Sequence, residues 1–495
     1  MRRARLILSF AGVVAALSLN GCLLGPDYKR QPVETPATYR FAAAETADAA
    51  NSEWWRQFQD PTLDELISTA LANNKDVKIA AARVEQFMGQ FVTTRAALFP
   101  QIGAGGTASR NRASAAGPQP LNGFGPVYNS FELSVSAAWE IDLFGRNRRL
   151  TEAARANLLS TEEGRRATIL SLVASVASSY LNLRSLDQQL EIAKRTTASR
   201  AESVKVFTLR FEGGEVSQME LAQSQSEYEA SLATIPQLET QIAQQEDALS
   251  VLLGNNPGPI LRGHTLDQLT TPVIPSGLPS DLLERRPDLL QAEQDLVAAN
   301  ALIGAARALY FPQISLTGML GTASGQFSSL FTGPARVWSF AGQVTQPIFT
   351  AGNISGQVQS AEAQQQAALL TYQKAIQVAF QEVDDALISS QKLHEQLEVQ
   401  IRQVTALATY ARLARARYEG GYTSYIEVLD AERSLFNAQL SETQTQAAAL
   451  ASFVQLYKVM GGGWVMAADK LTTQQMANPP ADATPTGQPA SQTVQ

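Results

Sequence analysis

The 495-residue chain is poor in the residues that most chemistry needs. It has one cysteine, Cys22, and two histidines, His264 and His394. A lone cysteine cannot close an internal disulfide. Two histidines in unrelated contexts give no metal-ligand spacing, and seven methionines without a Cys/His cluster add none. No Gly-rich phosphate loop or nucleophile elbow appears. Asp384-Asp385 and Glu162-Glu163 are neighbours in sequence, so they point to different helix faces and read as solvated charge. No enzyme site and no cofactor are therefore expected. Basic residues (39) do not outnumber acidic ones (46), and the net charge of −7 argues against a nucleic-acid partner. Beyond the first residues there is no uninterrupted apolar run of about 20 residues, so no helical membrane span is expected.

What is present begins at the N-terminus. Arg2, Arg3 and Arg5 precede an apolar run from Leu6 to Leu19, then Asn20-Gly21-Cys22. A basic start, a short apolar core and small residues before a cut describe an export signal over residues 1–21. Leu-x-Gly-Cys resembles the bacterial lipobox, which makes Cys22 the expected lipid-bearing first residue. An ordinary signal peptide with an incidental cysteine is the alternative. Leu23 follows where an aspartate often retains lipoproteins at the inner membrane, so the outer membrane is favoured.

The chain is written twice. "DVKIAAARVEQFMGQFVTTRAALFPQI" (76–102) lies over "DLLQAEQDLVAANALIGAARALYFPQI" (288–314), and "LRFEGG" (209–214) over "ARYEGG" (416–421). Each copy runs from a helix through a Phe-Pro-Gln-Ile block into two strand-like segments, then a very long helix and a shorter return helix. The strands are expected near 101–112, 129–143, 313–323 and 336–348. Loops at 114–128 and 324–335 join them in pairs. Residues 146–210 and 353–417 contain no proline and little glycine. Their apolar positions (Ile169, Val173, Val176, Tyr180, Leu183; Ile376, Phe380, Val383, Leu387) step by four and three. At 1.5 Å per residue each is a helix of about 100 Å. Gly213-Gly214 and Gly420-Gly421 end them, because glycine reverses a chain cheaply. Return helices follow near 217–253 and 424–460. The division reads as signal 1–21, anchor and linker 22–62, first repeat 63–262, linker 263–280, second repeat 281–462 and a C-terminal segment 463–495. The last ends in a Pro/Ala/Thr-rich tail (477–495) expected to be disordered. Trp54-Trp55 are expected to pack the N-terminal segment onto the body.

The strands set the function. In "FELSVSAAWEIDL" (131–143), Phe131, Leu133, Val135, Ala137, Trp139, Ile141 and Leu143 alternate with Glu132, Ser134, Ser136, Ala138, Glu140 and Asp142. The alternation recurs less cleanly at 338–348, where Gln346 interrupts the apolar side. No partner sheet is in sight to cover the apolar face, and besides helices a bilayer admits only closed β-barrels. Four strands cannot close, since such barrels need at least about eight. Several chains must share one barrel, and closure alone permits two, three or four copies. Glu132, Glu140 and Asp142, on the wet face, predict an acidic, cation-preferring lumen.

These stretches, with "GCLLGPDYKRQP" (21–32), "WWRQFQDPTLDELISTALANNKDV" (54–77), "WEIDLFGR" (139–146), "LLERRPDLLQAE" (283–293), "RYEGGYTSYIEVLDAERSLFNAQL" (417–440) and "LYKVMGGGW" (456–464), resemble the TolC-like outer-membrane efflux proteins. The likeness is to their lipid-anchored branch, which serves resistance-nodulation-division pumps. The resemblance implies an α+β fold: a homotrimer with a twelve-strand barrel in outer-membrane lipid, continued by a twelve-helix periplasmic tunnel. It implies an exit duct with a periplasmic adaptor and an inner-membrane pump as partners. It also implies a gate, with Ile426 in an apolar ring, Asp430 in an acidic ring and Arg433 pinning the closed state. Positions 426, 430 and 433 share one helical face. The corresponding first-copy residues, Met219, Gln223 and Ser226, are uncharged. The Gly213-Gly214 and Gly420-Gly421 turns would be where the adaptor docks. A structural or adhesive envelope protein, whose barrel only anchors a coiled-coil stalk, is the competing reading.

Overall fold

A computed structural model describes residues 23–30, 32, 39–41, 53–114, 127–272 and 282–461. The signal, Cys22, most of the 114–128 loop and the C-terminal tail lie outside the described residues.

The elements, in order, are α1 (Pro61–Asn73), α2 (Lys75–Ala96), β1 (Gln101–Arg112), β2 (Val127–Ile141), α3 (Arg146–Glu212) and α4 (Gln218–Leu252). Then come α5 (Leu282–Arg285), α6 (Pro287–Ala308), β3 (Gln313–Ser324), β4 (Arg336–Thr345), α7 (Asn353–Glu419) and α8 (Tyr425–Val459). The duplication is plain in the lengths. Helices α2 and α6 have 22 residues each, β1 and β3 have 12, α3 and α7 have 67, and α4 and α8 have 35.

The chain forms two compact units. One gathers Met1–Val33, Arg83–Glu162 and Gln291–Gln373; the other gathers Glu34–Ala82, Glu163–Leu290 and Lys374–Gln495. Each draws on both sequence copies.

The first unit holds the sheet, which is antiparallel throughout in the order β1-β2-β3-β4. The two copies meet at the β2–β3 pair, where Phe131 faces Ser324 and Ile141 faces Ile314. Register lines up the apolar residues in cross-strand rows: Ala104, Val135, Leu320 and Trp338 in one, Ile141, Ile314 and Val344 in another. Several are open to solvent in the single chain, with Val135 at 50%, Leu320 at 65% and Trp338 at 70% exposure. A soluble sheet of this kind would have buried that face.

Two strands end earlier than their pattern predicts. β2 stops at Ile141, so Asp142 and Leu143 are not strand residues. Asp142 turns to the next helix instead, accepting from the backbone N–H groups of Asn147 (3.1 Å) and Arg148 (2.8 Å) and pairing with the Arg148 guanidinium. A helix N-terminus has unsatisfied donors and a positive end, and a carboxylate answers both. β4 stops at Thr345, two residues before Pro347, which has no N–H to give a ladder.

The second unit holds the largest core. Ile169, Val173, Val176, Tyr180 and Leu183 of α3 are fully buried, joined by Leu249 of α4 and Val454 and Tyr457 of α8. One apolar window of α3 is long enough to cross a bilayer, but 72% of it is buried in the protein, as a core helix requires. Trp54 and Trp55 are buried as expected, and Trp54 stacks on Tyr457 at 5.4 Å. Asp60 fixes this N-terminal segment. One carboxylate oxygen caps α1 through the Thr62 N–H (2.9 Å), and the other accepts from the Tyr180 hydroxyl (2.7 Å) and the His264 N–H (3.2 Å). Burial first, and then this carboxylate, push the Tyr180 hydroxyl far above the ordinary tyrosine range.

Candidate functional site

The free ends of the two helical hairpins lie in the second unit. Both turns use the same device. Gly214 and Gly421 have φ of +74° and +75°, the left-handed region that glycine enters without strain. The Glu215 N–H returns to the Arg210 carbonyl (2.8 Å), and the Tyr422 N–H to the Arg417 carbonyl (2.9 Å). Gly213 and Gly420 continue the helical pattern one step before, donating to Leu209 and Ala416.

Beyond the turns the hairpins differ. The first return helix begins with a capping box, in which Ser217 and Glu220 satisfy each other's backbone N–H. The second begins at Ser424 without a side-chain cap, and an aromatic cluster holds it instead. Tyr425, almost fully buried, packs against Phe207 at 4.1 Å and Tyr418 at 5.2 Å, with Val428 and Ala431 beneath. Burial raises the Tyr425 hydroxyl above its ordinary range. Ion pairs ring this cluster. Arg415 reaches Glu432, and Arg417 reaches Glu427 (3.4 Å), which also accepts from the Thr423 hydroxyl. A cavity of about 270 Å³ opens beside Phe207, Arg415 and Tyr425.

The three residues expected at the gate fall on the opposite face of α8. Ile426 is 59% exposed, and Asp430 and Arg433 pair at 3.0 Å with both side chains more than half exposed. The alternation of buried 425, 428 and 431 with exposed 426, 430 and 433 is the helical period itself. In the single chain, then, Arg433 is already engaged by Asp430. The sequence pattern alone does not single out Arg415, Tyr425 or Glu432. The available signal is Tyr418 before the Gly420-Gly421 turn and Tyr425 after it, readable as a hydrophobic clasp across a turn.

The expected lumen acids divide. Glu132 and Glu140 lie on β2 opposite the apolar rows, and Glu140 has Arg146 at 3.9 Å. Asp142 has left the strand for the α3 N-terminus. Among the described residues no group of three or more His, Cys, Asp or Glu could hold a metal ion.

A long-helix hairpin continued into a sheet with an uncovered apolar face is an architecture with known relatives. The family model for outer membrane efflux proteins matches residues 66–255 and 278–462. The chain belongs to the outer membrane efflux protein family. It is 39% identical to the toluene efflux pump outer membrane protein TtgC of Pseudomonas putida, over 91% of this chain and 94% of that one. It is 36% identical to the cation efflux system protein CusC of Escherichia coli, covering 90% and 98%. It also superposes on the open-state crystal structure of the Neisseria gonorrhoeae MtrE outer membrane channel with a TM-score of 0.80. That match has 32% identity over 90% of this chain and 99% of that one. This protein is therefore an outer-membrane efflux channel component, with the long-helix and strand fold of those channels. The anchored-stalk alternative falls away.

Proposed function

We propose that three copies of this chain form one exit duct, with a shared twelve-strand barrel in the outer membrane and a helical tunnel below it. The observation that carries the proposal is the ribbon of four strands, whose outer strands β1 and β4 have no further partner among the described residues and whose apolar face is uncovered. A ribbon in lipid must satisfy its edges, and copies of itself supply the missing strands. The duct works passively, so no catalytic residue is assigned. An inner-membrane pump supplies the energy, and a periplasmic adaptor docks at the Gly213-Gly214 and Gly420-Gly421 turns. Cys22 carries the acyl anchor, a reading supported by the Leu-x-Gly-Cys motif.

At the closed tip Ile426 forms an apolar ring and Asp430 an acidic one, three carboxylates that attract cations and repel anions. Arg433 restrains Asp430. Glu132 and Glu140 make the lumen acidic, and Asp142 serves the strand-to-helix junction. Relatives named for toluene, antibiotic and cation efflux match at 39%, 39% and 37% identity. So even a spread suits a duct whose cargo is chosen by its pump. The test is bilayer recording with the purified protein, paired with deletion of the gene. Cation-selective conductance and increased drug susceptibility are expected; a chloride-preferring reversal potential would overturn the acidic lumen.

A further inference from the structure

The described chain begins as an extended arm, Leu23–Arg30, and the first unit is shaped to receive it. Arg149, near the start of α3, has its side chain only 2% exposed. Its guanidinium donates to the Leu24 carbonyl (3.0 Å), the Gly25 carbonyl (3.2 Å) and the Asp27 carboxylate (2.8 Å), leaving Glu152 (2.7 Å) as its partner on the body. Asn300 of α6 donates to the Pro26 carbonyl at 2.9 Å. Tyr28 and Arg30 both end on Glu293, at 3.1 Å each. Without the arm, the guanidinium would lose three of these four partners.

Glycine makes the approach possible. Gly25 has φ of +92°, and a Cβ there would stand 2.4 Å from the Gly304 Cα. A Cβ on Gly304 would stand 2.5 Å from the Leu24 carbonyl oxygen and 2.9 Å from the Arg149 stem. Glycine inside a helix is less favourable than alanine. Its place in α6 is explained by the backbone lying on it. Gly145, just past β2, likewise leaves room for Leu23, whose Cδ1 would be 2.5 Å from a Cβ there.

The duplication gives an independent control. At the matched positions of the other copy, Asn300, Gly304 and Glu293 become Met88, Val92 and Ala81, and Arg149 becomes Gly356. Each polar or vacant position is apolar or absent in its twin. The other copy therefore lacks the side chains that hold the arm, and in the groove Gly25 and Asp27 meet Gly304 and Arg149.

We propose that the groove around Arg149, Asn300 and Gly304 is a peptide-binding site for the mature N-terminal arm. Docking there pins the residue next to Cys22 against the junction of β2 and α3, with Arg149 as the positioning residue. If Cys22 is acylated, as the proposed function holds, its chains enter the bilayer beside the foot of β2, which ties the anchor to the sheet. The docking itself does not depend on acylation.

The test uses the full chain in detergent with a nitroxide on Lys29→Cys, an exposed arm position. The mass of the N-terminal peptide reports separately whether Cys22 is acylated, so failure of that assignment is distinguishable from failure of docking. A motionally restricted spectrum is expected in the parent. Arg149→Ala and Gly304→Val are expected to raise the mobile fraction about tenfold or more. Gly25→Ala alters only the arm, so the body folds, and it is expected to release the label as well. A synthetic peptide, acetyl-Leu-Leu-Gly-Pro-Asp-Tyr, is then expected to bind the Gly25→Ala protein and not one that also carries Arg149→Ala. A mobile label in the parent, or a label that stays restricted in Gly25→Ala and Gly304→Val, would overturn the proposal.

Discussion

The two copies within this chain share a backbone plan and differ in what they do with it. Their long helices have the same 67 residues and their return helices the same 35. Yet the buried seam Ile169, Val173, Val176, Tyr180, Leu183 of the first copy becomes Ile376, Phe380, Val383, Leu387, Ser390 in the second. At the tips, Met219, Gln223 and Ser226 become Ile426, Asp430 and Arg433. The comparison teaches that length and period carry the architecture, whereas the copies part in individual side chains along the core seam and at the tips. The first copy supplies most of the deepest core and the second the charged residues at the tip, while the proposed arm groove draws on both, with Arg149 from the first and Asn300 and Gly304 from the second.

The comparison can be broken most strongly in the core. Ile169→Ala is expected to cost about 2–5 kcal/mol, and Ile376→Ala less, because Ser390 already dilutes the second seam. Urea titration of the helical signal in detergent measures both, and equal losses would erase the distinction. Next in size is the sheet, where the copies should behave alike. Val135 and Leu320 face each other across the β2–β3 pair. Arginine at either is expected to cost about 2–4 kcal/mol of insertion, read as the fraction recovered in outer membranes. A loss confined to one copy would mean that only one strand faces lipid.

The tip gives smaller energies and a clear functional readout. The exposed Asp430–Arg433 pair contributes about 0.2–1 kcal/mol. Asp430→Ala and Arg433→Ala are expected to change single-channel conductance and cation preference, while Gln223→Ala and Ser226→Ala leave both unchanged. Unaltered conductance in the first pair would remove the gate. The smallest effect lies at Glu442, where the first copy has Ile235. Burial, then the charge of Asp267, raises the Glu442 carboxyl above its usual range. Its folded form holds a proton more tightly than its unfolded form, so stability is greatest below the unfolded value and falls as pH rises through the folded one. Glu442→Gln is expected to flatten that part of the stability–pH curve and to stabilise the protein slightly at neutral pH.

Much of this was legible because it is periodic. Alternation marked β2 and, less cleanly, β4, the duplication placed β1 and β3 beside them, and the proline-free runs marked both long helices, since each signal repeats along the chain. What escaped was set by distant partners. Asp142 continues the alternation, but two helix N–H groups and the Arg148 guanidinium claim its carboxylate, and the strand ends one residue earlier. Arg149, Gly304 and Gly25 look unremarkable in sequence because the groove they form joins positions more than a hundred residues apart. The clasp of Phe207, Tyr418 and Tyr425 likewise spans both hairpins. The tip faces were readable, since exposure at 426, 430 and 433 follows from helical geometry.

The central claim is that the four-stranded ribbon is one third of a barrel, and light scattering of the detergent-solubilised mature protein tests it most directly. Three chains per particle are predicted. A single chain, stable in buffer without detergent, would contradict the account.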